Sequence, residues 1–290
     1  MSGKEPLVLR TPSEMAAWSQ AARALGERVA FVPTMGALHE GHVSLLREGR
    51  RRGDGLVLSI FVNPTQFAPK EDLSRYPRDL PGDLAKAASA GTDVAYVPDA
   101  ADVYPPGFQT YVQVRELEQG LCGGARPGHF VGVATVVCKL FNVVRPHVAL
   151  FGEKDFQQLA VIRRMVADLD MGVEIAGMPI VREPDGLAMS SRNAYLSPDE
   201  RRRALALSRA LNAARARAEA GQRDAAALVA TARGVLASEI DRVDYVELRD
   251  AATLAPVTTL EREGVLLVAA FVGKTRLIDN VRLVPRRVAG

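Results

Sequence analysis

Residues 28–62 read RVAFVPTMGALHEGHVSLLREGRRRGDGLVLSIFV, and the change of period along this stretch decides the fold. RVAFV (28–32) and LVLSIFV (56–62) are near-continuous apolar runs, while 41–52 returns apolar residues at helical spacing after a glycine-containing loop. Strand, helix, strand is a βαβ unit. Strands apolar on both sides belong to a parallel sheet covered on both faces. Outward from this unit, 14–25, 80–90, 131–144 and 156–169 show helical periodicity, and 93–97 (DVAYV) and 148–151 (VALF) read as extended. Thr11 and Glu14 are spaced as a capping box for the first helix, and Gly26 marks its stop. The alternation predicts a doubly wound parallel α/β domain with its ligands at the carboxyl ends of the strands.

After about residue 180 the texture changes. Two Ala/Arg/Leu-rich helices, 198–220 and 224–240, precede extended stretches at 243–248, 264–272 and 275–284. Helices followed by strands imply a smaller C-terminal α+β domain. Gly273-Lys274 suits the tight turn of an antiparallel hairpin. The expected division is 1–180 and 181–290, the second domain covering the active site.

Composition narrows the function classes. The 290 residues are 48% hydrophobic and 24% charged, an ordinary globular balance that excludes disorder as the main state. The longest apolar run, 265–272, falls short of the roughly 18 residues of a membrane span, so no membrane partner is expected. The first residues lack a secretory h-region, which makes the cytoplasm the expected location. Cys122 and Cys138 are too few for a disulfide framework or a cysteine zinc site and read as plain buried thiols. Net charge is only +3, and the clusters Arg47, Arg50, Arg51, Arg52 and Arg201, Arg202, Arg203 read as solvated helix ends. No aromatic residues interleave with them, so no nucleic-acid partner is expected.

Four constellations carry chemistry. In Pro33-Thr34-Met35-Gly36-Ala37-Leu38-His39-Glu40-Gly41-His42, glycines let the backbone approach a ligand where N–H groups open a helix, which favours an anion. His39 and His42 point the same way on a helical turn, equipped to donate to one phosphate. A metal reading of this H-x-x-H spacing lacks an obvious third ligand. Asn63 and Gln66, in FVNPTQF, offer amides for reading hydroxyl and carboxylate groups. In Gly152-Glu153-Lys154-Asp155, at a third strand end, Lys154 supplies a compact charge for phosphate oxygens and Asp155 either caps the helix or accepts from ribose hydroxyls. Met189-Ser190-Ser191-Arg192 places two hydroxyls beside a guanidinium, donors that can follow charge onto a leaving pyrophosphate, unless they cap a helix. With Arg126 and His129 in LCGGARPGHF, these loops are expected to converge on one triphosphate-holding cleft.

His39-Glu40-Gly41-His42 resembles the HxGH motif of the nucleotidyltransferase superfamily, to which class I aminoacyl-tRNA synthetases belong. PTMGALHEGH, SIFVNPTQF, LCGGARPGHF, FGEKDFQQ and GLAMSSRN, in this order and spacing, make residues 30–195 resemble the pantothenate synthetase (pantoate:β-alanine ligase) family. The resemblance implies a Rossmann-like catalytic domain and an AMP-forming ligation of pantoate with β-alanine through a pantoyl adenylate, with Mg²⁺ on the β- and γ-phosphates. It assigns ATP to Met35, Gly36, Ala37, Leu38, His39, Glu40, Gly41, His42, Gly152, Glu153, Lys154, Asp155, Val181, Met189, Ser190, Ser191 and Arg192. Of these, His42 is the implied proton donor, and His39, Lys154 and Arg192 are further catalytic candidates. Ser190, Ser191 and Arg192 stand where related synthetases carry a KMSKS-type loop, with arginine where that loop has lysine. Gln66 and Gln158 fall at pantoate positions, Gln66 also adjoining β-alanine; Asn63, Tyr76, Arg126 and His129 fall in the rest of that pocket, and Asp83 is the implied metal contact. A homodimer is implied too. Two rival readings stay open: another HxGH nucleotidyltransferase, and a nucleotide- or RNA-binding module that has kept the fold without the chemistry.

Overall fold

The computed structural model describes residues 4–67 and 73–285. The chain divides into two units, Met1–Glu153 with Val161–Pro179, and Lys154–Ala160 with Ile180–Gly290. The first unit carries β1 (Leu7–Leu9), α1 (Pro12–Ala24), β2 (Val29–Thr34), α2 (Glu40–Arg52), β3 (Gly55–Ile60), α3 (Leu80–Ser89), β4 (Val94–Tyr96), α4 (Ala100–Val103), α5 (Leu121–Ala125), α6 (His129–Val144), β5 (Val148–Gly152), most of α7 (Phe156–Asp168) and β6 (Glu174–Met178). The second carries α8 (Pro198–Ala204), α9 (Ala206–Glu219), α10 (Ala225–Leu236), β7 (Arg242–Asp250), β8 (Gly264–Val272) and β9 (Thr275–Leu283).

The doubly wound reading holds. Six strands form one parallel sheet in the order β1-β4-β3-β2-β5-β6. Chain order runs outward in opposite directions from the β2/β5 pair, so the switch point where such sheets bind ligands lies beyond the ends of β2 and β5. Both strands are followed by loops that the sequence marks for phosphate. Val29 to Val32 of β2, Leu56 to Leu58 of β3 and Val148 to Leu150 of β5 are fully buried. Each such Val or Leu contributes about 1.5–3 kcal/mol on burial. Leu46 of α2 joins Val32, Leu58 and Leu150 in one cluster, fixing the helix whose first turn carries the histidines.

Local signals act as the sequence predicts. Thr11 Oγ1 accepts from the Glu14 N–H at 3.3 Å and Glu14 Oε2 accepts from the Thr11 N–H at 2.9 Å, closing the capping box. At the other end the Gly26 and Glu27 N–H groups donate to Arg23 O and Ala22 O, a Schellman ending. In the second unit β7-β8-β9 is an antiparallel sheet, with Val272 pairing Thr275 across the Gly273-Lys274 turn. Leu207 and Leu211 of α9 and Leu228 of α10 share a buried cluster with Leu266, Val268 and Leu283 of the sheet.

Departures from expectation have local causes. β1 pairs with β4 through three residues only, too short a run to show a period. Beyond β5 the sheet gains an edge strand, EIAGM at β6, whose glutamate and glycine hide it from a reading of apolar runs, while Arg182 forms only an isolated bridge to Ala188. The helix expected over 198–220 is interrupted at Leu205, and the next ends at Leu236 rather than 240. Cys122 is buried, whereas Cys138 is only partly so. No described helix is long and apolar enough to cross a membrane.

Candidate functional site

β2 enters α2 through a corner whose backbone is left-handed twice in succession, Gly36 at φ +80° and Ala37 at φ +51°. For alanine that conformation costs energy and needs an external hold. Asp83 of α3 supplies it: fully buried, its Oδ2 accepts from the Ala37 N–H at 2.8 Å and its Oδ1 from the Leu38 N–H at 2.7 Å. Lys86, one turn on, donates to Leu38 O at 2.8 Å. Burial raises the Asp83 carboxyl above its ordinary range, opposed by the two N–H bonds and by Lys86. A Cβ on Gly36 would stand 2.9 Å from Asp83 Oδ2, so the glycine serves both backbone and latch. Asp83→Asn keeps one acceptor and turns an NH₂ toward the other N–H. It is expected to cost about 1–3 kcal/mol in urea unfolding and to speed hydrogen exchange at Ala37 and Leu38; unchanged exchange at both amides would remove Asp83 from this role.

The two histidines then cap α2 reciprocally. His39 Nδ1 accepts from the Gly41 N–H at 3.1 Å, and His42 Nδ1 accepts from the His39 N–H at 3.3 Å. A ring nitrogen that accepts carries no proton, so each neutral imidazole bears its hydrogen on Nε2. The rings lie 4.1 Å apart between centroids and are tilted by 36°, a pair of N–H donors at the opening of a helix beyond β2. Glu40 is exposed beside them and paired with Arg47.

Beyond β3 the chain makes a one-turn 3₁₀ helix, Pro64–Gln66, opened by Asn63. Asn63 is 1% exposed. Its Nδ2 donates to Gly132 O at 3.1 Å and to Gln66 Oε1 at 3.2 Å, and its Oδ1 accepts from Tyr104 Oη and Thr65 Oγ1, each at 2.9 Å. Gln66 Nε2 donates to Met35 Sδ at 2.9 Å, joining this turn to the β2 corner. The Gln66 carbonyl accepts from Arg126 Nη2 at 3.2 Å and from His129 Nδ1 at 2.9 Å, so these two residues of the LCGGARPGHF segment hold the turn's main chain. Tyr76 is buried with its ring edge-on to Phe67. Burial pushes the Tyr104 hydroxyl above the usual phenol range, against the bonds from Thr65 and Asn63, so it remains a donor at neutral pH.

Gly152 and Glu153 close the first unit at the end of β5; Lys154, Asp155 and Gln158 belong to the second. Burial pushes the Lys154 ammonium below the lysine range; the charges of Asp155 and Asp279 oppose this and that of Arg192 adds to it. Lys154 O accepts from Asn280 Nδ2 at 3.0 Å. Residues 181–193 double back so that the Met189 N–H donates to Val181 O at 3.0 Å, and Ser190 Oγ accepts from the Arg192 N–H at 3.3 Å. Ser191 and Arg192 begin a 3₁₀ turn, Ser191–Tyr195. Arg182 grips buried Asp279 of β9 with two bonds of 2.7 and 2.9 Å, and Asn193 Nδ2 ties Glu183 to Ala188 O. Sequence reasoning missed Tyr104, Asp279, Asn280 and Arg182. The buried polar pair Asp279-Asn280, set between Leu277-Ile278 and Val281 of β9, was the one available signal.

Met35, His39, His42, Asn63, Gln66, Asp83, Arg126 and His129 belong to the first unit, and Lys154, Gln158, Val181, Met189, Ser190, Ser191 and Arg192 to the second. Donors beyond the carboxyl ends of parallel strands define a phosphate-handling α/β enzyme of the Rossmann-like class. The family model described as "Pantoate-beta-alanine ligase" matches residues 7–282. A pantothenate synthetase of Anaeromyxobacter dehalogenans is 63% identical, covering 97% of this chain and 99% of the relative. That of Myxococcus xanthus is 59% identical over 98% and 99%. The Thermus thermophilus pantothenate synthetase structure superposes with a TM-score of 0.91 at 45% identity, covering 96% of this chain and all of that one. A Francisella tularensis pantoate-beta-alanine ligase, crystallised with β-γ ATP and β-alanine, gives 0.78 at 31% identity over 95% and 97%. The chain belongs to the pantoate–β-alanine ligase family.

Proposed function

We infer that this protein joins pantoate to β-alanine at the expense of ATP. In the first step a pantoate carboxylate oxygen attacks the α-phosphorus, pyrophosphate leaves, and pantoyl adenylate forms. In the second the β-alanine ammonium sheds a proton, the resulting amine attacks the acyl carbon, AMP leaves with the C–O bond electrons, and the nitrogen sheds its second proton. Pantoate is ionised near pH 7, so the first step needs alignment and charge neutralisation and no base. The observation that carries the reading is the pair of Nε2–H donors fixed by reciprocal capping at the opening of α2. They hold phosphate oxygens as charge moves onto pyrophosphate, and His42 is the donor assigned to that charge. In the second unit Lys154 and Arg192 are the cations and Ser190 and Ser191 the hydroxyls assigned to phosphate, while Gln66 and Gln158 are the residues assigned to pantoate.

Mg²⁺ belongs to the reading as a companion of the β- and γ-phosphates. Asp83 does not fit as its ligand, since it is buried with both oxygens holding the corner's N–H groups. Among the described residues no three metal-ligating side chains gather. The ion's ligands in this reading are phosphate oxygens and water. A homodimer and a cytoplasmic location complete the reading, checked by sedimentation and by cell fractionation.

Pantoate-dependent exchange of labelled pyrophosphate into ATP, with pantothenate formed only when β-alanine is added, is the expected result. Exchange that ignores pantoate would favour another nucleotidyltransferase, and ATP binding without turnover a module that has lost the chemistry. Gln66→Ala should raise the KM for pantoate about tenfold, the scale of one or two lost hydrogen bonds, while the KM for ATP stays within twofold. Separate titration of the two substrates decides it.

A further inference from the structure

We propose that Tyr104 and Asn63 are positioning residues that fix which end of the Gln66 amide faces the substrate, presenting it as an N–H donor to pantoate's oxygens. The proposal rests on the assignment of Gln66 to pantoate. A glutamine amide has nearly the same shape after a half-turn, yet one orientation offers two N–H donors and the other a carbonyl acceptor. Pantoate's carboxylate, which can only accept, is held by the first and repelled by the second.

The orientation is set by groups that have no choice. Gly132 O can only accept, so the atom of Asn63 bonded to it at 3.1 Å is Nδ2. The Thr65 N–H can only donate, and it meets Oδ1 at 3.4 Å. With Asn63 so fixed, its Nδ2 donates to Gln66 at 3.2 Å, which makes the receiving atom Oε1 and turns Nε2 to the other side. One N–H of Nε2 is directed at Met35 Sδ, a weak acceptor, and the second is the one that a substrate oxygen would meet. Tyr104 Oη, 2.9 Å from Asn63 Oδ1, reinforces the same orientation from the far side. The Tyr104 ring is held independently by Phe61 and Phe108, with centroids 6.4 and 5.1 Å away, so removing the hydroxyl leaves the packing in place.

The test compares Tyr104→Phe and Asn63→Asp with Gln66→Ala in the full-length enzyme, measuring KM for pantoate and for ATP across pH, with thermal midpoints. Tyr104→Phe is expected to raise the pantoate KM about threefold to tenfold, with the ATP KM within twofold. Asn63→Asp should raise it about tenfold or more at pH 8, because the introduced carboxylate cannot donate to Gln66 Oε1 and draws the NH₂ inward. As pH falls and that carboxyl takes up a proton it can donate again, so the penalty should shrink, which a merely structural defect would not do. Should Asn63→Asp fail to fold, Tyr104→Phe decides alone. A pantoate KM within twofold of the unaltered enzyme in the folded variants, or equal losses in both substrates, overturns the proposal while leaving Gln66 in place if Gln66→Ala still raises it. A normal pantoate KM in Gln66→Ala removes the assignment of Gln66 and the proposal with it.

Discussion

Replacing His42 with alanine is expected to lower turnover about a hundredfold or more, the scale of one lost transition-state donor. The alanine removes two things at once: the Nε2–H and the Nδ1 that accepts from the His39 N–H at 3.3 Å. His42→Asn separates them. A side-chain carbonyl can still receive that N–H, so the helix start is kept, yet no imidazole donor remains. If the donor is what matters, asparagine should be as slow as alanine in pantoate-dependent pyrophosphate exchange, with a thermal midpoint close to the unaltered protein's. If capping is what matters, asparagine should restore most of the rate. Lys154→Ala should show a loss of similar size for a different reason, the removal of a half-buried cation. Turnover within threefold of normal in His42→Ala and Lys154→Ala would contradict their assignments.

These expectations use residues that could be read from the sequence, and the reason is that strand ends are legible. β2, β3 and β5 are buried on both sides, so they stand out as apolar runs, and the doubly wound rule then locates ligands at their carboxyl ends without any knowledge of side-chain packing. What stayed illegible depends on long-range partners. Nothing near Asp83 in the sequence indicates that it must hold the N–H groups of Ala37 and Leu38; the latch exists because α3 brings the carboxylate to a corner more than forty residues upstream. The burial of Asn63 to all but 1%, and its bonds to Gly132 O and Tyr104, become visible only when α6 and Tyr104 are packed against it. Tyr104 itself lies in no motif. Its role is visible only through the hydroxyl's distance to an amide oxygen from another segment. Edge strands failed for the opposite reason: β1 and β6 each pair on one side only, so little apolar character is demanded of them.

The largest loss away from the reacting groups is expected at Gly132, where two effects of opposite sign can be weighed. Alanine is the better helix former by about 0.8–1 kcal/mol, and Gly132 lies inside α6. Against this, its Cβ would stand 2.5 Å from Thr65 O, 2.7 Å from Thr65 C and 2.8 Å from Gln66 N. All three are backbone atoms and cannot swing aside, so the helix and the 64–66 turn must separate. Overpacking of this kind costs about 1–3 kcal/mol, which the gain in helix propensity partly offsets. Stability should therefore fall only modestly. Function has no such compensation: the Asn63 bond to Gly132 O and the seat of Gln66 both lie in the gap that must open. A misplacement on the order of 1 Å can cost about a hundredfold. Gly132→Ala is thus expected to lower kcat/KM for pantoate by about that factor with the KM for ATP little changed. Gly124→Ala, where nothing lies within 4 Å of the added methyl, serves as the control and should behave as the unaltered protein. A Gly132→Ala enzyme within threefold of normal would show that the turn tolerates displacement, and the geometry assigned to Gln66 would then not be what limits its use of pantoate.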